Sequence, residues 1–215
     1  MEGFTSSIAS FMELSVMTDD IEKVVEKVKK EEMMILDMRD FESYMKGHIP
    51  NSILAPYVEG RWAPEISNFL SSRDSPTIVL YESDEEKNVA SSELSKIGHE
   101  LQFLKYKEFK QAGNFQEAHA TNLGPDEFGE HIEDYQVIDV REPYEWNSGY
   151  IDNAHLIPLN DLFIEYEKLD KKKKYAIICA HGNRSLYGAI FLADKGFEVY
   201  NVDGGMDALQ RSGYV

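Results

Sequence analysis

The chain has 215 residues, of which 42% are hydrophobic, and this allows one large domain or two of roughly 100 residues each. Its formal net charge of −17 argues against nucleic acid and anionic membrane surfaces as partners, because like charges repel. A single cysteine excludes internal disulfides and zinc sites built from several cysteines. We therefore expect a cytoplasmic protein with no membrane span, no metal ion and no cofactor.

The first half alternates short apolar runs with amphipathic segments. Met1–Met17 is weakly patterned, and Asp19 precedes Glu22 at the spacing of a capping box, which predicts the start of a helix. Apolar runs and helical periodicity predict the next elements. These are strands at Met33–Leu36, Thr77–Tyr81 and Leu101–Leu104, and a helix from Val89 to Ile97 that ends at Gly98.

Residues 112–124 have no strong periodicity and are interpreted as a linker. The same alternation then begins again. A strand is predicted at Ala176–Ile178, followed by a polar loop with one glycine and by a helix over Leu186–Ala193.

The two halves are copies of one another. Val137–Glu142 repeats Ile35–Asp40, and Gly149–Ala154 repeats Gly47–Ser52, both at an offset of 102 residues. We interpret this as an internal duplication with one domain over residues 1–120 and a second over 121–215. Strands that alternate with helices predict an α/β fold, in which each domain has a mainly parallel sheet with helices on both faces.

The only cysteine, Cys179, lies where the predicted strand of the second copy ends. Ligands of parallel α/β sheets bind beyond the carboxyl ends of the strands. The unpaired N–H groups at the start of the next helix favour an anion and a reactive thiolate. The alternative is a buried structural cysteine, since free cysteine is among the most buried residue types.

The first copy serves as an internal comparison. Tyr81 stands at the position of Cys179, and the loop that follows, residues 82–86, contains four acidic side chains. Like charges at close range exclude an anion. This contrast favours a reactive Cys179 in the second domain and a non-catalytic first domain.

At these motifs the sequence resembles the rhodanese family in its tandem-domain form. The resemblance covers residues 18–215. Its strongest motifs are Val137–Arg141, Gly149–Ala154, Cys179–Ser185 and Val202–Met206. Tandem rhodaneses typically have an inactive first domain and a catalytic second domain, which matches the asymmetry of this chain.

The resemblance implies a thiosulfate sulfurtransferase-type enzyme that forms a persulfide on Cys179. A small anionic sulfur donor would supply the sulfur, and cyanide, a thiol or a sulfur-acceptor protein would take it. The predicted binding loop consists of Ala180, His181, Gly182, Asn183, Arg184 and Ser185, whose amides would surround the sulfur. Arg184 would hold the donor or brace the loop through Asp139, and Asp139 and Arg141 are the candidates for loop support.

Two other functions stay open. A cysteine-dependent phosphatase on this fold would have five residues between cysteine and arginine, whereas four separate Cys179 from Arg184, so this function is disfavoured. A non-catalytic binding or regulatory module is the second alternative, and it suits the first domain better than the second.

Overall fold

The computed structural model describes residues 21–72, 75–99 and 101–215, and these fall into two compact units. Met45–Asn51 and Glu117–Val215 form the second unit, and the rest belongs to the first. The predicted division into residues 1–120 and 121–215 stays a prediction; these units differ from it in that residues 45–51 and 117–120 belong to the second unit. The backbones of His48 and Ala118 exchange two hydrogen bonds of 3.0 and 2.9 Å, and this bridge joins segment 45–51 to the second unit.

The first unit contains a four-stranded sheet whose strands are all parallel, in the order β2-β1-β3-β4. Helices α3 and α4 pack on one face of it, while α5 contacts β3 and β4. Its elements are α1 (residues 21–29), β1 (Met34–Asp37), α2 (Phe41–Lys46, whose last two residues belong to the second unit), β2 (Ile53–Leu54), α3 (Trp62–Ser71), β3 (Thr77–Tyr81), α4 (Asp84–Lys96), β4 (Gln102–Lys105) and α5 (Tyr106–Gly113).

The second unit contains a five-stranded parallel sheet in the order β5-β9-β8-β6-β7. Short 3-10 helices follow α6, β6 and α7, at Ile132–Asp134, Trp146–Ser148 and Tyr166–Lys168. The main elements are β5 (Thr121–Leu123), α6 (Pro125–Glu130), β6 (Gln136–Asp139), β7 (His155–Leu156), α7 (Leu159–Glu165), β8 (Lys174–Ile178), α8 (Asn183–Asp194), β9 (Glu198–Val202) and α9 (Gly205–Ser212).

Side chains of β8 alternate between two apolar cores, as the two-residue period of a strand requires. Tyr175 and Ile177 pack against α7 and α8, whereas Ala176 and Ile178 pack against α6 and α9. Both faces of the sheet are therefore covered by helices. The predicted fold, two α/β domains that each have a parallel sheet flanked by helices, is confirmed.

Several predicted boundaries need correction, including that of β1, which is shifted by one residue to Met34–Asp37, and that of β8, which begins two residues earlier, at Lys174. Asp19 and Met1–Met17 lie outside the described residues. The predicted linker contains β5, an edge strand too short to show periodicity. Helix α4 begins at Asp84 rather than Val89, because Ser83 caps it and acidic side chains are stabilised in a first helical turn. Helix α8 likewise includes Asn183, Arg184 and Ser185, and β4 ends one residue later than predicted.

No helix within the described part of the chain is both long and apolar enough to cross a membrane.

Candidate active site around Cys179

Cys179 directly follows β8, which lies between β6 and β9 near the middle of the second sheet. The residue is only 1% exposed and belongs to the apolar core shared with α7 and α8. Its backbone carbonyl points the other way, where it accepts a 2.8 Å hydrogen bond from the Met206 N–H. The thiol is therefore fixed at the carboxyl end of a central strand.

Two groups donate hydrogen bonds to the sulfur of Cys179. The Gly182 N–H lies 3.2 Å from Sγ, and the Ser185 hydroxyl lies 3.4 Å from it. Ser185 is fully buried, and its hydroxyl also lies 3.1 Å from the Gly182 carbonyl, so its single hydrogen can serve either acceptor. The expected amide contact is present for Gly182. For the other amides of the loop, contact with the bound sulfur stays a prediction.

The loop turns sharply at Gly182, where φ is +88°, a conformation that glycine adopts without steric cost. A Cβ at this position would lie 2.8 Å from the Gly204 nitrogen, so the loop also needs glycine for space. Gly182 immediately precedes α8. The first N–H groups of this helix thus face the same region as the sulfur, and they carry a partial positive charge.

The first turn of α9 binds the backbone of the cysteine loop. The Asp207 N–H donates a 3.1 Å hydrogen bond to the Ala180 carbonyl, next to the bond between Met206 and Cys179. Gly205 allows this approach, since a Cβ there would lie 2.3 Å from the Cys179 carbonyl oxygen. Gly204 and Gly205 belong to the sequence motif Val202–Met206, but the sequence alone gave them no role in the site.

Arg184 lies in the first turn of α8 and pairs with Glu145 rather than with Asp139. Its two terminal nitrogens each lie 2.6 Å from a carboxylate oxygen of Glu145. These hydrogen bonds lower the pKa of Glu145 from its ordinary 4.5 to about 2, and they raise the pKa of Arg184. Of the two roles suggested for Arg184, the brace through Asp139 is not formed, because Asp139 binds an arginine closer to it in sequence.

That nearer arginine is Arg141. It forms a two-pronged pair with Asp139, with nitrogen–oxygen distances of 3.0 and 2.7 Å, and both residues are buried. Arg141 also donates a 2.7 Å hydrogen bond to the Gly149 carbonyl. The pair thus ties the end of β6 to the turn at Gly149. Support of the cysteine loop by these two residues stays a prediction.

His181 points to the α9 side of the loop. Its Nδ1 lies 2.9 Å from a carboxylate oxygen of Asp207, and the side chains of both residues are substantially exposed. Ala180 contributes its carbonyl to α9, as described above, and Asn183 is the first residue of α8. Arg184 and His181 therefore each have a carboxylate partner that the sequence did not reveal. Neither partner is near its cation in sequence.

The corresponding position of the first unit is built differently. Tyr81 ends β3, and only Glu82 and Ser83 separate it from α4. Three residues separate Cys179 from α8, so the first loop is one residue shorter and has no glycine. The Ser83 hydroxyl accepts the Glu86 N–H, which closes the helix end with its own side chain. The first unit keeps the counterpart of the pair of Asp139 and Arg141: Arg39 binds Asp37, with nitrogen–oxygen distances of 2.9 and 2.6 Å.

The arrangement around Cys179 can stabilise negative charge on sulfur without a metal ion. It supplies one backbone N–H, one buried hydroxyl and the start of a 12-residue helix. Among the described residues, no three histidine, cysteine, aspartate or glutamate side chains are grouped closely enough to hold a metal. A thiol with such donors around it is suited to nucleophilic chemistry.

Comparison with known proteins gives the same family for both halves. The profile of the rhodanese-like domain matches residues 20–110 and 124–212. A Bacillus subtilis (strain 168) protein named "Putative sulfurtransferase YtwF" is 42% identical over 76 residues, which are 35% of this chain and 74% of that protein.

Solved structures add further similarity. A rhodanese-related protein from Thermoplasma volcanium is 39% identical, with a TM-score of 0.43, and the match covers 44% of this chain and 95% of that one. A rhodanese-like domain protein from Staphylococcus aureus is 34% identical, with a TM-score of 0.40, over 41% of this chain and 90% of that one. By the two profile matches and the Bacillus relative, this chain belongs to the rhodanese family and contains two rhodanese-like domains.

Proposed function

We propose that the protein is a sulfurtransferase that carries sulfur as a persulfide on Cys179. The observation that carries this proposal is the pair of donors aimed at Sγ, the Gly182 N–H at 3.2 Å and the Ser185 hydroxyl at 3.4 Å. Donors to a sulfur anion stabilise both the attacking thiolate and the persulfide that replaces it. The sulfurtransferase name of the Bacillus relative supports the same activity.

In the first step the Cys179 thiolate attacks the outer sulfur of the donor. A bond forms between Sγ and that sulfur, and the bond between the two donor sulfurs breaks. With thiosulfate, the leaving sulfite keeps the bonding electron pair, so the total charge of −3 is the same before and after. The transferred atom is already at the sulfane oxidation level, so the step needs no external oxidant.

In the second step an acceptor attacks the outer sulfur of the persulfide. The bond to Sγ breaks, and the electron pair returns to Cys179 as a thiolate. Cyanide leaves as thiocyanate, and a thiolate acceptor leaves as a new persulfide. The two half-reactions share one enzyme form, so we expect ping-pong kinetics with a small thiol, cyanide or a sulfur-acceptor protein as the acceptor.

The residues of the site divide this work. Gly182 and Ser185 hold the sulfur, and the remaining amides of Ala180–Ser185 are expected to close around the terminal sulfur of the persulfide. Asp139 and Arg141 fix the end of the neighbouring strand β6. The first unit, with Tyr81 at the cysteine position, is the non-catalytic copy.

Intact-mass measurement after incubation with thiosulfate, or with a small persulfide, tests the proposal. We expect a gain of one sulfur atom that cyanide removes, and no gain in Cys179→Ser. If wild-type protein gains no sulfur from any sulfane donor, the non-catalytic binding module becomes the better function. Hydrolysis of a chromogenic phosphate ester that depends on Cys179 would instead identify a phosphatase.

A further inference from the structure

Both cationic side chains of the loop after Cys179 are paired with carboxylates that come from other elements. Arg184 binds Glu145, which lies just before the 3-10 helix Trp146–Ser148, through two hydrogen bonds of 2.6 Å. His181 lies 2.9 Å from Asp207, in the first turn of α9. The loop therefore presents no cation whose charge is left uncompensated by a neighbouring carboxylate.

The charge of the two pairs follows directly. Arg184 is always protonated, and its hydrogen bonds keep Glu145 ionised, so that pair is neutral. His181 contributes a positive charge only when it is protonated, whereas Asp207 contributes a negative charge. The two pairs together are therefore neutral or carry one negative charge, and within the loop an anion is attracted by backbone N–H groups and the Ser185 hydroxyl.

We propose that Glu145 and Asp207 determine donor specificity. By neutralising Arg184 and by placing a carboxylate beside His181, they disfavour the doubly charged thiosulfate ion and favour a donor with little charge beside its sulfane sulfur, namely the persulfide of a thiol. This inference rests on the sulfurtransferase function proposed above and names the donor class of the same site.

The two donors bring different charges into the reaction. Thiosulfate brings two negative charges to the site and releases a sulfite dianion, so each carboxylate near the loop raises the barrier through repulsion. A neutral persulfide R–S–SH brings none: Sγ bonds to its outer sulfur, the S–S bond breaks, and the thiolate R–S⁻ leaves with the electron pair. Removal of a carboxylate charge therefore changes the first reaction much more than the second.

The experiment compares second-order rate constants for persulfide formation on Cys179, measured by rapid quench and intact mass. The donors are thiosulfate and the persulfide of N-acetylcysteinamide, whose other groups are uncharged. The variants are Glu145→Gln and Asp207→Asn. The matched control is Glu198→Gln, which removes the same charge from another carboxylate–cation pair, Lys174–Glu198. Glu198 lies at the start of β9 and pairs with the first residue of β8, at the opposite end of that strand from Cys179.

We expect each site variant to raise the ratio of the thiosulfate rate constant to the persulfide rate constant about threefold to tenfold at low ionic strength. This increase should shrink as salt is added, because screening weakens interactions between exposed charges. The control variant should leave the ratio unchanged. A Glu145 that only holds the loop in place would change both rate constants equally and independently of salt.

The outcomes separate this inference from the function on which it rests. If neither donor places sulfur on wild-type Cys179, the sulfurtransferase function fails. If both donors react, but the ratio does not rise in Glu145→Gln and Asp207→Asn, the function stands and the inference is overturned. A rise of equal size in Glu198→Gln would also overturn it, since the effect would then come from net charge alone.

Discussion

At the scale of single residues, Ser185 is a side chain that donates a hydrogen bond to Sγ of Cys179. Its hydroxyl is fully buried and shared between Sγ of Cys179 and the carbonyl of Gly182. A hydrogen bond to a charged acceptor contributes about 1.5–3 kcal/mol, and this one strengthens when the thiolate forms. We expect Ser185→Ala to slow persulfide formation and alkylation of Cys179 by iodoacetamide, each about tenfold or more.

The matched control is Ser71→Ala, because the Ser71 hydroxyl also donates to a helix carbonyl, that of Ser67, but is exposed and lies in the first unit. It should leave both rates unchanged. Equal rates in wild type and Ser185→Ala would mean that the hydroxyl serves only Gly182.

The pair of Glu145 and Arg184 makes a second prediction at this scale, on stability. Hydrogen bonds from Arg184 lower the pKa of Glu145 from 4.5 to about 2. A depressed pKa stabilises the folded state above the unfolded value of 4.5, and the stabilisation is lost as the pH falls towards 2. Because the Arg184 side chain is 36% exposed, we expect only about 1 kcal/mol at pH 7.

Urea unfolding of wild type and Glu145→Gln at several pH values measures this contribution. The difference in free energy of unfolding should be constant near neutral pH and more than half lost by about pH 3. A difference that stays constant down to that pH would show that the glutamate stabilises the fold by packing and not by charge.

The residues of the site differ in how far sequence could identify them. Cys179, Gly182 and Ser185 lie close together in the chain, so one strand–loop–helix pattern was enough to group them. Glu145 is 39 residues away from Arg184, and its pairing depends on how the segment after β6 folds back. No local spacing contains that information. From the sequence, Asp139 was a reasonable partner for Arg184, but in the structure Asp139 binds Arg141.

At the scale of elements, α9 holds the cysteine loop through its first turn. Gly205 has φ +60°, and a Cβ there would lie 2.3 Å from the Cys179 carbonyl oxygen and 2.8 Å from the Ala180 carbonyl carbon. These are backbone atoms that cannot move aside without displacing the loop. We therefore expect Gly205→Ala to lose most persulfide formation and to destabilise the second unit by about 3 kcal/mol or more.

Gly213→Ala provides the control, because it lies at the other end of the same helix. Its φ is +78°, but nothing lies within 4 Å of an added Cβ. This variant should cost only the left-handed strain of about 1–2 kcal/mol and should retain activity. Thermal unfolding and the sulfur-mass assay compare the two variants, and equal effects would contradict a role for close packing under the loop.

Sequence patterns located the centres of these elements better than their ends. Strand β3 was predicted to the residue, since its apolar run is bounded on both sides. Helix α8 begins three residues before its apolar periodicity, because its first turn faces the sulfur and carries polar side chains. Strand β5 was missed altogether. It has only three residues, and its pairing with β9 depends on a strand almost 80 residues later.

At the scale of the whole molecule, the two units share a duplicated framework, but the loops that follow the corresponding strands β3 and β8 differ. Both units keep the buried aspartate–arginine pair at the end of a strand, Asp37 with Arg39 and Asp139 with Arg141. Because the pair is present also in the copy without a thiol, it is a property of the fold. At the end of the strand that carries Tyr81 or Cys179, the units differ in the length of the loop and in the charge at the start of the next helix.

This difference predicts that a thiol alone does not convert the first unit into a catalyst. In Tyr81→Cys the new sulfur would precede a two-residue loop without glycine, and the next helix begins with Asp84, Glu85 and Glu86. The shorter loop has fewer amides to offer, and the three carboxylates oppose negative charge on sulfur. We expect the double variant Tyr81→Cys, Cys179→Ser to gain no sulfur from thiosulfate or from a small persulfide, whereas the wild type gains one atom. A cyanide-sensitive gain of one sulfur in the double variant would show that position on the strand is sufficient, and that the loop around Cys179 is not what makes its thiol reactive.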